Sequence, residues 1–227
     1  TSDHGELVGE HGIWWKNTWH EAATHVPFIV SLPEHRNGSL ESQEVRSPAS
    51  LADLFPTLCG LAGLGKPDGL DGVDLTGVLK GGESAALNER PGAITEATHP
   101  RWGAGTEFRL IRSERYKYVA FRNCEDLAFD MEADPEEQHN LLKDDPDNAE
   151  LKALRDAVLD GFDFDEVEAT REKWNAELKA KYPAKVKMRT PNQILRGDGK
   201  LVEADTPLYA PEVISDDLAR DFDDYKG

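Results

Sequence analysis

The amino-acid sequence predicts an α/β protein that continues into a smaller α+β part with an antiparallel sheet. Residues 26–32 form an apolar run with the character of a buried strand. Leucine and phenylalanine then recur at helical spacing over residues 51–61. Three β-rich runs follow at 108–113, 116–121 and 127–131. The first two observations indicate an α/β part in which strand and helix alternate, and the third indicates a hairpin sheet.

Each element of the first part has a local reason. Residues 3–19 contain many glycines and no periodicity, which predicts a loop. In the following strand, Pro27 stands at the start, where a missing N–H is tolerated. Ser47 and Pro48 resemble an N-cap followed by proline at the first helical position. We expect Pro56 to kink that helix, and the glycines of residues 60–65 to end it.

The second part reads as sheet, then helices, then an extended arm. Residues 92–98 are a candidate strand, Glu114 and Arg115 separate two strands of a hairpin, and helices are expected at 149–159 and 165–182. After Pro183 the chain becomes proline-rich and ends in acidic residues. This arm is expected to wrap the domain or a neighbouring subunit in a homo-oligomer, with a disordered tail as the alternative. The predicted division is therefore 1–90, 91–182 and 183–227.

Composition excludes some classes of function. The formal net charge is -18 over 227 residues, and no basic face is visible, so a nucleic-acid partner is not expected. No apolar run reaches the length of about 18 residues that a transmembrane helix requires, so no membrane partner is expected either. Cys59 and Cys124 fit no metal-binding spacing and are expected to be buried thiols or one disulfide.

The first sixteen residues carry the candidate chemistry. Asp3 and His4 are followed by Lys16 twelve residues after the His. A carboxylate and an imidazole can hold a divalent cation, and an ammonium can bind a tetrahedral oxyanion. Three such side chains leave a cation under-coordinated, since calcium takes about six to eight oxygen ligands. The chain also opens within this motif, so we expect it to be the C-terminal portion of a longer protein.

The motifs, in their order along the chain, resemble the sulfatase branch of the alkaline phosphatase superfamily. The matching segments cover residues 2–142 and are Ser2-Asp3-His4-Gly5-Glu6, Gly9-Glu10-His11-Gly12, Trp15-Lys16, Glu21, residues 26–30, 53–58, 115–118, 130–137 and 140–141. The resemblance implies that the first 90 residues complete an alkaline-phosphatase-like α/β sandwich, a mostly parallel sheet with helices on both faces. It also implies a sulfuric ester hydrolase.

The resemblance assigns roles to individual residues. Asp3 and His4 take the positions of calcium ligands, although a histidine ligand leaves manganese or another divalent metal open. Lys16 takes the position of the catalytic lysine that contacts the sulfate ester and the leaving-group oxygen. His20 is a candidate substrate contact, with a structural role as the alternative. Substrate contact is also expected from a segment that approaches the pocket mouth in this family, namely His99, Arg101 and Trp102.

The nucleophile of this family does not occur in the chain. Sulfatases make a formylglycine from a Cys/Ser-x-Pro/Ala-x-Arg motif, and neither Cys59 nor Cys124 is followed by the required proline and arginine. The paired aspartates that complete the family's metal site are absent as well. We therefore expect formylglycine in a missing N-terminal part, and we expect this polypeptide alone to be inactive.

Substrate, compartment and reaction type stay open at the level of sequence. Trp14, Trp15 and Trp19 resemble the choline-sulfatase-like group, and such aromatic residues bind a quaternary ammonium or stack on a sugar ring. A sulfated small molecule and a sulfated carbohydrate are both expected partners. The alternatives are a phosphonate monoester or phosphodiester hydrolase of the same superfamily, or a non-catalytic binding module on this fold. The compartment is periplasmic or secreted, or cytoplasmic.

Overall fold

The structure is a computed structural model that describes residues 1–98, 105–181, 193–195 and 201–203. The chain divides into two compact units, Thr1–Glu168 and Ala169–Gly227. The helices are α1 (Glu21–Thr24), α2 (Pro33–Arg36), α3 (Leu54–Leu61), α4 (Thr76–Leu79), α5 (Ala85–Asn88), α6 (Ala149–Leu159) and α7 (Phe164–Lys181). The strands are β1 (Ala93–Ala97), β2 (Phe108–Arg112), β3 (Tyr116–Phe121), β4 (Leu127–Asp130), β5 (Gln193–Leu195) and β6 (Leu201–Glu203). The predicted three-part division stays a prediction.

The first unit is built on a four-stranded antiparallel sheet with the order β1-β2-β3-β4. Register places Leu110 opposite Val119 and Arg112 opposite Lys117. The β2–β3 turn is closed by Ser113, whose hydroxyl accepts the amide hydrogen of Tyr116 at 2.9 Å. The mixed α/β class and the antiparallel sheet are confirmed, and the four strands of this sheet, β1 to β4, fall within the predicted runs.

Alternation along the strands gives the sheet two buried faces. On one face, Ile111 and Tyr118 pack against α6, which contributes Leu151, Leu154 and Val158. On the other face, a second apolar cluster contains Phe108, Leu110, Val119, Phe129 and Met131. Trp19 packs against this second cluster, with its ring edge-on to Phe108 and Phe121. The segment that leads away from Lys16 is therefore anchored on the sheet.

The predicted strand at 26–32 is not a strand in the structure. Residues 1–92 are all described and contain helices, turns and extended segments, but no strand. Residues 26–31 have no regular secondary structure and alternate between partly buried and exposed positions, and Ile29 is 83% exposed. The physical reason is that a strand is defined by its partner, and no described segment forms ladder hydrogen bonds with this one.

The helix predicted after residue 47 begins later than its sequence suggested. Ser50, not Ser47, is the cap of the 3-10 turn Leu51–Asp53 that leads into α3, and its hydroxyl accepts the amide hydrogen of Ala52 at 3.2 Å. Asp53 accepts the amide hydrogen of Ser50 in return, at 2.7 Å. Pro56 lies in the first turn of α3, where a missing N–H leaves no hydrogen bond unmade, so it does not break the helix.

The second unit has its own small sheet. Strands β5 and β6 pair antiparallel, with Gln193 opposite Glu203. The rest of the predicted arm at 183–227, and with it the predicted homo-oligomer contact, lies outside the described residues.

Two further expectations can be compared with the structure. Cys59 is a buried free thiol, whereas Cys124 is free but exposed, so the expectation of a disulfide or of two buried thiols is corrected for Cys124. Across the described ranges, no helix combines the length and the apolar character needed to cross a membrane.

Candidate functional site

A closed loop brings His4 and Lys16 together. Leu7 donates its amide hydrogen to the carbonyl of Trp15 at 3.0 Å, and Gly9 donates to Ile13 at 3.1 Å. Residues 7–15, which we call the site loop, thus fold back on themselves around the buried side chain of Leu7. Because the loop closes between Leu7 and Trp15, the residues just outside it meet side by side. This is how a spacing of twelve residues places Lys16 against His4.

The site loop has an unusual backbone. Positive φ angles occur at Gly9 and Gly12, where they are inexpensive, and also at Val8 (51°), His11 (54°) and Trp15 (78°). Non-glycine residues in this region cost free energy and concentrate at binding sites, where the surrounding structure imposes them. The strain lies directly beside Lys16, in the segment that sets where its side chain emerges.

The ring of His4 is oriented by its neighbours. Its Nδ1 donates to the carbonyl oxygen of Gly5 at 2.7 Å, which assigns the remaining lone pair to Nε2. The ammonium group of Lys16 donates to that Nε2. Asp3 Oδ2 lies 3.5 Å from the same nitrogen. A carboxylate oxygen, an imidazole lone pair and an ammonium therefore meet at one point.

The charges at this point suit a cation and an anion together. The Asp3 side chain is 85% exposed. Its pKa is lowered mainly by a hydrogen bond from its own backbone amide, and further by the nearby positive charge of Lys16, so the carboxylate is ionised at neutral pH. Asp3 and His4 offer two donor atoms. In the part of the chain that the structure describes, no three His, Cys, Asp or Glu side chains gather into a metal-binding group, so further ligands of a cation must come from elsewhere.

A cavity of about 1050 Å³ adjoins the site. Asp3, His4 and Lys16 line it, together with Arg112 and with apolar residues that include Phe28 and Leu110. Its volume is at the upper end of the range for small-molecule sites, about 300–1,000 Å³. The three polar side chains thus face a space large enough for an organic ester.

His20 is placed differently from the other predicted site residues. Its side chain is 7% exposed and is not among the described residues that line the cavity. Its Nδ1 lies 2.7 Å from the hydroxyl of Thr18, and its ring stacks on His11 at 3.9 Å and on Trp19 at 5.0 Å. Burial, followed by the charges of His11 and Lys117, lowers the pKa of His20 to about 4. Its contact with substrate stays a prediction, as does that of His99, Arg101 and Trp102, which lie outside the described residues.

One group of functional candidates escaped the sequence analysis. Glu21, Arg112, Lys117 and Glu137 meet directly beneath α1. The sequence contained one signal for this group. Lys117 is a charged residue within the β-rich run 116–121, and the alternation along that run places it on a buried face. Partners at positions 21 and 137 are far apart in sequence, and nothing local points from one to the other.

Comparison with known proteins identifies the family. A family profile described as N-sulphoglucosamine sulphohydrolase, C-terminal, matches residues 9–161. Arylsulfatase K of Xenopus laevis is 30% identical over 200 residues, which cover 82% of this chain and 35% of that protein. The chain therefore belongs to the sulfatases of the alkaline phosphatase superfamily, and it matches their C-terminal region.

Solved structures agree with this assignment. A structure described as a 2-O GAG sulfatase superposes with a TM-score of 0.58 at 29% identity, over 77% of this chain and 36% of that one. The phosphonate monoester hydrolase of Agrobacterium radiobacter superposes with a TM-score of 0.54 at 27% identity, over 89% of this chain and 38% of that one. The chain thus spans about a third of the length of these relatives. Membership in the family implies a metal ion and a formylglycine in general terms, without fixing the metal.

Proposed function

We propose that this chain supplies the cation-binding and oxyanion-binding side of a sulfuric ester hydrolase. The observation that carries the proposal is the meeting of Asp3, His4 and Lys16 at the wall of the cavity. Family membership supports the reaction class, and the formylglycine nucleophile would come from a part of the enzyme that this chain does not contain.

Asp3 and the Nε2 atom of His4 fit the donor set of a divalent cation, calcium or manganese. Asp3 is ionised, and the hydrogen bond from Nδ1 to Gly5 puts the His4 lone pair on Nε2, the atom that now accepts from Lys16 and that would coordinate a cation in its place. A cation bound there would supply Lewis-acid stabilisation of oxyanion charge. With a cation on Nε2, the Lys16 ammonium would turn from His4 to the ester.

Lys16 has the chemistry to stabilise both the sulfate group and the leaving group. Its ammonium carries three N–H donors and a full charge, so it can bind a sulfate oxygen and the bridging oxygen as the S–O bond breaks. Arg112 lines the same cavity and adds positive charge to its wall, although its guanidinium is paired with Glu21.

The test uses the complete enzyme, expressed from the full coding sequence, with 4-nitrophenyl sulfate as substrate. Lys16→Ala is expected to lower kcat about 100- to 1,000-fold, the usual effect of removing one group that stabilises oxyanion charge. Lys80→Ala, at an exposed lysine outside the described lining of the cavity, serves as the matched control. Equal activity of the Lys16→Ala enzyme and the control would contradict the proposal.

A phosphonate monoester hydrolase is the alternative, and the similarity to the Agrobacterium radiobacter enzyme favours it as the competitor. Both reactions use a cation and a lysine beside a tetrahedral centre, so the residues described here serve either one. The ratio of kcat/KM on a sulfate monoester to that on a phosphonate monoester separates them. A ratio above one supports the sulfatase, and a ratio far below one supports the alternative.

For the substrate we propose a sulfated sugar. The similarity to a 2-O GAG sulfatase supports this class. Trp14 lies two residues before Lys16 and is 67% exposed, so its indole can stack on a sugar ring. Trp19 is not available, because it packs on Phe108 and Phe121. Rates on sulfated disaccharides and on choline sulfate, measured side by side, distinguish the two substrate classes.

A further inference from the structure

A buried lysine lies between two carboxylates on the sheet side of the site. Lys117 projects from β3 with a side chain that is 0% exposed. Its ammonium nitrogen lies 2.7 Å from Glu137 Oε1 and 3.1 Å from Glu21 Oε1. Arg112, one strand away on β2, approaches Glu21 Oε2 at 3.4 Å. We call Glu21, Lys117 and Glu137 the buried triad.

Glu137 binds the backbone of α1 as well as the lysine. Its second oxygen, Oε2, accepts the amide hydrogen of Glu21 at 2.7 Å. Glu137 is 6% exposed and adopts a φ of 53°, a left-handed conformation that a non-glycine residue rarely takes. Both carboxylate oxygens and the backbone conformation are thus committed to one arrangement.

Helix α1, held by the buried triad, is hydrogen-bonded to the segment that carries His4 and is linked to the segment that carries Lys16. Gly5, next to His4, donates its amide hydrogen to Ala23 of α1 at 2.9 Å. At the other end, Thr18 bonds the ring of His20, the residue before α1, and donates its own amide hydrogen to the carbonyl of Lys16 at 2.9 Å. Helix α1 therefore fixes the position of His4 on one side and of Lys16 on the other.

A buried group of charged side chains such as this triad is an inefficient way to stabilise a fold. Apolar side chains of similar volume stabilise a protein interior as well as a buried ion pair does, or better, because the charges must be desolvated. What the triad adds is a fixed orientation of α1, since its carboxylate oxygens form hydrogen bonds with defined partners. Neither Lys117 nor Glu137 is among the described residues that line the cavity. Their effect on chemistry must pass through α1.

We propose that Lys117 and Glu137 are positioning residues, which act through Glu21 and α1 to hold Asp3, His4 and Lys16 in the geometry that binds the cation and the ester. The catalytic part of this inference rests on the proposed function. The mechanical part, that the triad orders residues 3–18, does not.

The test is Glu137→Gln, which keeps the size of the side chain and removes its charge. In the complete enzyme, we expect calcium affinity, measured by titration, and kcat each to fall about 10- to 100-fold, the usual range for residues that orient metal ligands, with KM changed less. In the 227-residue chain, we expect faster amide hydrogen exchange across residues 3–18. If Glu137→Gln does not fold, Glu21→Gln takes its place and is judged by hydrogen exchange at residues 3–18 alone, because Glu21 itself lines the cavity.

Arg90→Met is the matched control. Arg90 forms an equally close pair with the fully buried Asp53, at 2.8 Å, away from α1. It should lower the melting temperature while leaving calcium affinity and kcat unchanged. The proposal is overturned if Glu137→Gln behaves like Arg90→Met, with lower stability but wild-type calcium affinity, kcat and exchange at residues 3–18.

Failure of the proposed function has a different signature. A wild-type enzyme that binds no divalent cation and cleaves no sulfate ester would refute that function, while the hydrogen-exchange comparison would still decide whether the triad orders residues 3–18.

Discussion

Gly5 is the position where one added methyl group should disturb the candidate site most. A Cβ atom built on Gly5 would lie 1.9 Å from the carbonyl oxygen of Ala22 and 3.0 Å from its carbonyl carbon. Ordinary contact begins at 3.4 Å, so the backbone of α1 or of residues 3–5 must move by about 1.5 Å. Overpacking of this kind costs about 1–3 kcal/mol, and the higher end is expected because both contacting atoms are backbone. Gly5→Ala should therefore destabilise the chain by about 3 kcal/mol.

The same movement should reach the chemistry, because His4 is the next residue. A displacement of about 1 Å can reduce a rate about 100-fold. We expect Gly5→Ala to lower both the urea midpoint of the 227-residue chain and the calcium affinity of the complete enzyme. Gly65→Ala is the control, because it meets no atom within 4 Å and does not require a positive φ. A Gly5→Ala protein as stable as the Gly65→Ala control, with wild-type calcium affinity, would refute the role given to α1.

Three further results are expected from denaturation of the 227-residue chain. The folded-state pKa of His20, about 4, lies below its ordinary 6.5, so the contribution of neutral His20 to the free energy of unfolding is present above pH 6.5 and is lost as pH falls toward 4. The loss is at most about 3 kcal/mol. Urea midpoints from pH 7.5 to 4 that fall equally in His20→Phe would contradict this. Arg90→Met should cost about 3–5 kcal/mol, because it leaves the Asp53 carboxylate buried without its cation, and a cost below 1 kcal/mol would refute this reading. Asn148→Ala should cost about 1 kcal/mol, because the Asn148 side chain accepts two amide hydrogens at the start of α6, and an unchanged midpoint would show that the cap is dispensable.

Local pattern was sufficient for the second half of the fold. The strands β2 to β4 alternate between two faces that are both buried, and the turn residues between them are polar, so sequence alone marks their bounds. Helix α6 was predicted at its observed bounds, Ala149–Leu159, and the structure shows the local features that support it: an Asn148 cap and buried Leu151, Leu154 and Val158 at helical spacing. In both cases the information lies within a dozen residues.

The first half depends on contacts that local pattern does not contain. Residues 26–32 have the composition of a buried strand, but a strand forms only where a partner supplies hydrogen bonds. In α3 the apolar spacing was read correctly, yet Phe55 and Leu58 are 55% and 53% exposed, and the buried residues are Pro56, Thr57 and Cys59. Periodicity identified the helix but not the face that packs.

The candidate site also has a part that the sequence indicated and a part that it did not. The resemblance to sulfatases put Asp3, His4 and Lys16 in one site, and their roles there stay predictions. The structure shows why His4 and Lys16 meet, in the closure between Leu7 and Trp15. The buried triad was not predictable, because Glu137 and Glu21 are 116 residues apart and meet only when α1 packs on the sheet.

The most direct test of this account is a crystal structure of the complete enzyme with calcium and a sulfate ester or sulfate bound. The account predicts an Asp3 carboxylate oxygen and His4 Nε2 within about 2.0–2.6 Å of the cation. It also predicts the ammonium of Lys16 within hydrogen-bonding distance of a sulfate oxygen, about 2.7–3.2 Å. A cation held by other residues, with Lys16 still donating to His4 and no contact to sulfate, would contradict it.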